Sequence, residues 1–183
     1  MKSVMVTIFL SFILHSISSA QILPKKFWNL LQENKMVYSI PRNYSQTPVL
    51  KNDDVEYDFA IKSKDNTLEI RYRIWPIIRL QQNSNTLSDG MLLTMALNIS
   101  GGKMVNPQPF PKENVEEEFG ADKGFTAMVP TNSEFGKGYK MCMINVIHKE
   151  NVADAYTFYL FDDPQSLMQV LGNSEVFHAL KFK

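Results

Sequence analysis

Two histidines, one cysteine and a handful of paired carboxylates are the residues of this chain best placed to do chemistry. His148 ends a long apolar run, Met141 to Ile147, and a second run begins at Ala155. A tight loop over residues 149–153 sets His148 opposite Asp154, Asn145 opposite Thr157 and Val146 opposite Tyr156. An imidazole held by a carboxylate is the orienting half of a hydrolytic triad. The other half needs a nucleophile, and no GxSxG elbow is present. Cys142 has the strand parity of His148 but sits six residues away, about 20 Å along an extended chain. Those two therefore cannot form a dyad within one strand. Cys142 reads instead as a small buried hydrophobe. His178 falls in the apolar stretch Val176 to Phe182, which is expected to be a final strand.

The carboxylates offer less. Asp162-Asp163-Pro164 is the signature of a helix start, an N-cap followed by proline at the first helical position. Glu116-Glu117-Glu118 reads as the solvated face of a short helix. No HExxH, CxxC or DxDxDG spacing occurs, so no metal site is expected. No GxGxxG or GxxxxGK[ST] occurs either, and no cofactor is expected. Gly136-Lys137-Gly138 lies between two strands with no helix behind it, and reads as a flexible connection. Asn43-Tyr44-Ser45 and Asn98-Ile99-Ser100 match the N-glycosylation sequon.

The compartment follows from the N-terminus. Residues 1–20, MKSVMVTIFLSFILHSISSA, combine one early lysine, an apolar run from Val4 to Leu14 and small residues before Ala20. That is a signal peptide cleaved after Ala20. The run is too short to span a bilayer, so no stable membrane anchor is expected after cleavage. Residues 21–183 then form the mature chain, secreted or periplasmic. Lys2 and His15 leave with the leader. Across all 183 residues, 19 Lys+Arg face 19 Asp+Glu, and 44% of residues are apolar. The balance argues against a nucleic-acid partner. One cysteine excludes a disulfide scaffold.

The elements that must position these residues are legible from periodicity. Pro24 to Asn34 is a short amphipathic helix, with Phe27, Leu30 and Leu31 on one stripe. Met36 to Ile40 alternates like a strand, and residues 42–54 are polar and loop-like. Val55 to Lys62 and Thr67 to Trp75 both alternate with period 2, separated by Ser63-Lys64-Asp65-Asn66. A two-residue turn at Asp65-Asn66 pairs Phe59 with Tyr72 and Ile61 with Ile70. A four-residue turn slips the register by two. Both put opposite charges together, so charge does not choose. The hairpin is expected to have a core face (Val55, Tyr57, Phe59, Ile61) and a wet face carrying Glu69, Arg71 and Arg73.

Ser88 to Ile99 is the longest helix candidate, stopped by Gly101-Gly102. Residues 103–112 hold three prolines in a stiff loop, and Glu113 to Phe119 is a short helix ended by Gly120. Strands follow at Gly124 to Pro130, Tyr139 to His148 and Ala155 to Phe161. The last two are apolar on both faces, as central strands covered on both sides must be. The class is α+β: a largely antiparallel sheet with helices packed on it, in a single domain over residues 21–183.

This element order over residues 36–183 resembles the Mog1/PsbP-like α/β/α sandwich. The strand ending at Ile40-Pro41, the hairpin at 55–75, the helix after it and the hairpin at 139–161 carry the likeness. It implies a family of mostly non-enzymatic binding and accessory proteins. Phrases such as Phe119-Gly120-Ala121-Asp122-Lys123-Gly124 are similar to those of small secreted proteins, and supply no residue roles. The expectation is an exported binding or accessory domain whose partner is a protein or a small apolar ligand. The alternative is a secreted hydrolase using the His148/Asp154 pair. A structural subunit is the third reading, and it needs a large self-complementary patch.

Overall fold

The computed structural model describes residues 23–77 and 87–183. The leader, its cleavage point and His15 lie outside the described residues. The helix α1 (Lys25–Glu33) starts directly after Pro24 and buries Phe27 and Leu31. The strands β1 (Met36–Tyr38), β2 (Tyr44–Gln46), β3 (Phe59–Ser63) and β4 (Leu68–Pro76) follow. Next come α2 (Leu87–Ser100), β5 (Gln108–Pro109), α3 (Lys112–Phe119), β6 (Lys123–Pro130) and α4 (Ser133–Gly136). The chain closes with β7 (Met141–Lys149), β8 (Ala153–Phe161), α5 (Pro164–Leu171), α6 (Ser174–Phe177) and β9 (Leu180–Phe182).

Among the described residues, seven strands form one antiparallel sheet in the order β2-β3-β4-β8-β7-β6-β5. The two strands read as apolar on both faces, β7 and β8, are central. β1 and β9 pair antiparallel as a separate ribbon. The α+β class and its largely antiparallel sheet are thus as the sequence implies.

Each sheet face carries its own core. On one face Phe59, Ile61, Ile70, Tyr72 and Tyr159 pack under α1, α5 and the β1–β9 ribbon. On the other, Ala60, Ile144, Val146, Phe158 and Leu160 pack under α2 residues Leu92, Met95, Ala96 and Ile99. Tyr57 and Phe135 complete that second core.

The β3–β4 hairpin takes the two-residue turn: Phe59 lies opposite Tyr72 and Lys62 opposite Glu69. The turn itself decides this. Asn66 adopts φ +62, a left-handed conformation that asparagine tolerates well. The Asp65 carboxylate accepts the Thr67 N–H at 3.1 Å and the Ser63 hydroxyl at 2.6 Å. The expected wet face needs correction. Arg71 is fully buried and Glu69 nearly so, because α2 and α4 cover that side. Val55 and Tyr57 precede β3 and join the second core, not the face that holds Phe59.

Three further differences have local causes. Tyr44–Gln46, read as loop, adds an edge strand to β3. Residues Val176 and Phe177 belong to α6, because the Asn173 side chain caps it by accepting the Glu175 N–H at 3.1 Å. The last strand is therefore only Leu180–Phe182, and His178 follows a helix instead of lying in a sheet. Ser133–Gly136 forms a helical turn capped by Asn132, which takes in the first residue of the Gly136-Lys137-Gly138 connection. Gly120 does end α3 at φ +60, and Gly101 and Gly102 follow α2 with positive φ.

Candidate functional site

A cleft of about 550 Å³ opens between α2 and the segment 49–58, beside the end of β4. The segment has almost no regular structure, so side chains and isolated bonds hold it. The Leu50 N–H donates to the Tyr57 hydroxyl at 2.8 Å. The Val55 N–H donates to the Asn52 side-chain oxygen at 2.9 Å. Asn132 Nδ2 donates to Asp54 Oδ2 at 2.7 Å, and Asn98 Nδ2 to the Asp54 carbonyl at 3.3 Å. Asp58 accepts the Ile74 N–H at 3.0 Å and faces Lys26 at 3.3 Å. These contacts make a wall from a stretch that composition alone marks as loop.

The cleft lining is partly apolar. Val49, Leu50 and Trp75 are each 40–49% exposed, a high value for large apolar side chains. Met91 and Met95 of α2 face them. The Arg73 guanidinium stacks over the Trp75 ring at 4.4 Å and donates to the Glu56 carbonyl at 2.9 Å. The rest of the lining is charged: Asp53, Asp54, Glu56 and Asp58 stand with Lys26, Lys51 and Arg73. The volume is in the usual range for a small-molecule site, and the mixed lining suits an amphipathic ligand better than a purely apolar one.

The His148–Asp154 pair lies on the same sheet face. Asp154 is the cross-strand partner of both Trp75 on β4 and His148 on β7. Cross-strand partners share a face, so the pair flanks the Trp75 end of the cleft. His148 Nδ1 and Asp154 Oδ1 are 2.7 Å apart. Both residues are buried. Tyr156, next along β8 on this face, is fully buried, and its hydroxyl has no hydrogen-bond partner among the described residues. Burial pushes that phenol well up from its ordinary value. Among the described residues, no serine, threonine or cysteine is hydrogen-bonded to the His148 imidazole.

The other candidates are scattered. Cys142 is wholly buried, and burial raises its thiol pKa far above the ordinary value. His178 meets Glu118 Oε2 at 2.6 Å and lies edge-on to the Phe119 ring, and β9 pairs with β1, not with β7. Asp163 caps α5, while Asp162 accepts the Lys140 N–H at 2.9 Å. Asn43 sits exposed in a turn at φ +67, whereas the Asn98 side chain is engaged with Asp54 at the cleft edge. Among the described residues, no three His, Cys, Asp or Glu side chains converge as a metal site, and no helix is long and apolar enough to cross a membrane.

No family model and no curated protein sequence matches this chain. Its fold does match a solved one. The solution structure of cyanobacterial PsbP (CyanoP) from Synechocystis sp. PCC 6803 superposes with a TM-score of 0.50. The match covers 82% of this chain and 88% of that one, at 10% sequence identity. The fold is PsbP-like. At this identity the likeness concerns the chain path and not the side chains. Within this PsbP-like fold, the cleft and the His148–Asp154 pair are features of this chain's own residues. The cleft wall is what sequence reasoning missed. Its one signal is the apolar pair Val49-Leu50 inside an otherwise polar stretch.

Proposed function

We propose that this protein is an exported binding domain that takes a small apolar or amphipathic ligand in the cleft between α2 and the 49–58 segment. The observation that carries the reading is the cleft itself: about 550 Å³, with Trp75, Val49 and Leu50 left exposed along it. Exposed large apolar side chains gathered in one concavity cost solubility unless something covers them. Arg73 beside Trp75, with Asp53, Asp54, Glu56 and Asp58 in the same lining, supports a ligand with a polar end. Export rests on the leader over residues 1–20. The PsbP-like fold supports an accessory role by analogy only. Native mass spectrometry of the protein, purified from the medium or periplasm of its own host, tests this. A retained small molecule lost in Trp75→Ala and Leu50→Asp variants is the expected result. A ligand-free protein whose Trp75 fluorescence ignores a library of apolar small molecules overturns it.

A secreted hydrolase is the second reading. It rests on the 2.7 Å contact between His148 and Asp154 beside Trp75. It requires a nucleophile brought within hydrogen-bond reach of the imidazole.

A further inference from the structure

Arg71 lies in the middle of β4, opposite Phe158 of β8, and is wholly buried. Its guanidinium sits between two aromatic rings, Tyr57 and Phe135, each centroid 4.8 Å away. Nε donates to Glu69 Oε1 at 2.6 Å and Nη1 donates to the Phe135 carbonyl at 2.5 Å. Among the described residues, Nη2 has no hydrogen-bond partner. Phe135 is itself held in place, because its N–H donates to the Asn132 side chain that caps α4.

Arg71 does not line the cleft, but the residue stacked on it does. Tyr57 presents its ring to the guanidinium and its hydroxyl to the Leu50 N–H, 2.8 Å away. Leu50 forms the exposed apolar wall. Glu69, Arg71, Tyr57 and Leu50 thus make one unbroken series of contacts from the sheet interior to the cleft. A buried charge is a poor way to fill space, since an apolar side chain of like volume does so without desolvation. A planar cation between two rings does something an apolar side chain cannot. It fixes the direction of the ring, and so the place of the hydroxyl at its far end.

We propose that Arg71 is the positioning residue of the ligand cleft: by clamping the Tyr57 ring it fixes the Leu50 wall in its binding-competent place. The inference rests on the ligand-cleft reading above. Ordering a wall before the ligand arrives removes that ordering cost from binding.

Two variants separate this from a merely structural charge. Tyr57→Phe keeps the ring on Arg71 and deletes only the acceptor for Leu50. The double variant Glu69→Leu/Arg71→Met removes both charges together and leaves no lone buried ion. Both are made in a Trp28→Phe background, so that Trp75 is the only tryptophan. The readouts are amide hydrogen exchange at Leu50 and the affinity of the apolar anion anilinonaphthalenesulfonate, followed through Trp75 fluorescence. In both variants, exchange at Leu50 accelerates about tenfold while the amides of β7 and β8 keep their protection. Probe affinity falls about fivefold, the scale of one lost hydrogen bond. Unchanged Leu50 exchange in the double variant overturns the proposal, whatever Tyr57→Phe does. If the probe fails to perturb Trp75 in the parent protein, the cleft reading falls on its own, and Leu50 exchange alone then decides whether Arg71 holds the wall.

Discussion

His148 Nδ1 and Asp154 Oδ1 lie 2.7 Å apart across the closed end of the β7–β8 hairpin, and both side chains are buried. A buried polar group that loses its partner keeps its desolvation cost without compensation. Asp154→Ala therefore destabilises the fold by about 1–3 kcal/mol, and Asp154→Asn, which keeps an acceptor oxygen, by less. Urea unfolding followed by circular dichroism checks the order. The same variants test the hydrolase reading. As a structural pair, they leave any hydrolysis of p-nitrophenyl acetate at the parent level. Loss of that hydrolysis in a folded Asp154→Asn protein moves the pair into the catalytic machinery.

The contact between His148 and Asp154 was legible in the sequence because a hairpin's register follows from its loop length, and residues 149–153 leave little choice. Asn151 at φ +58 closes the loop. The β3–β4 register was legible only to a choice of two, since charge pairs fitted both, and the Asp65–Asn66 turn chemistry decided it. What covers a sheet face is a long-range matter. Arg71 and Glu69 alternate with apolar residues just as solvated charges do, and nothing local says that Tyr57 and Phe135 will close over them. The small Ala60 beside Arg71 was the one cue, because it leaves room for a covering layer. The cleft wall failed to show for a related reason. It is tied down by Tyr57, Asn98 and Asn132, residues scattered along the chain. His178 was misplaced by a competition between periodicity and capping: Val176 and Phe177 suit a strand, but Asn173 starts a helix first.

Gly124 of β6 faces Phe110 and the α3 residue Val115. A Cβ at this position meets Phe110 Cδ2 at 2.6 Å and Val115 Cγ2 at 3.2 Å. Alanine is otherwise the better strand residue by a fraction of a kcal/mol. Here the overlap decides, because the Phe110 ring must leave its stack on Phe119, whose centroid is 6.2 Å away. Gly124→Ala lowers stability by about 1–3 kcal/mol, the usual cost of overpacking. The double variant Gly124→Ala/Phe110→Leu recovers part of that loss in thermal unfolding. No recovery means that the strain lies elsewhere.

Cys142 has no exposed surface, and burial raises its thiol pKa, with Arg71 only partly opposing. The thiolate is the reactive form, so both access and ionisation protect this residue. In the folded protein Ellman's reagent labels it at the rate of chain opening, and adding urea past the unfolding midpoint brings labelling to the rate of a free thiol. Prompt labelling of the native protein at pH 8 contradicts this placement.

Six of the seven tyrosines have their hydroxyls held in the neutral form by burial: Tyr38, Tyr44, Tyr72, Tyr139, Tyr156 and Tyr159. Burial pushes Tyr139 up to about 12, with the Glu69 and Asp162 charges adding to it. Each folded-state value lies above the ordinary 10.0. The folded state therefore holds these protons more tightly than the unfolded chain does. Their contribution to stability is fully present below pH 10 and is lost as the pH climbs through and past the unfolded value. Two measurements follow the same event. Phenolate absorbance at 295 nm rises late and steeply, and it coincides with loss of the circular dichroism of the sheet. A separate, gradual ionisation of most tyrosines at pH 10 in a still-folded protein shows instead that water reaches these hydroxyls.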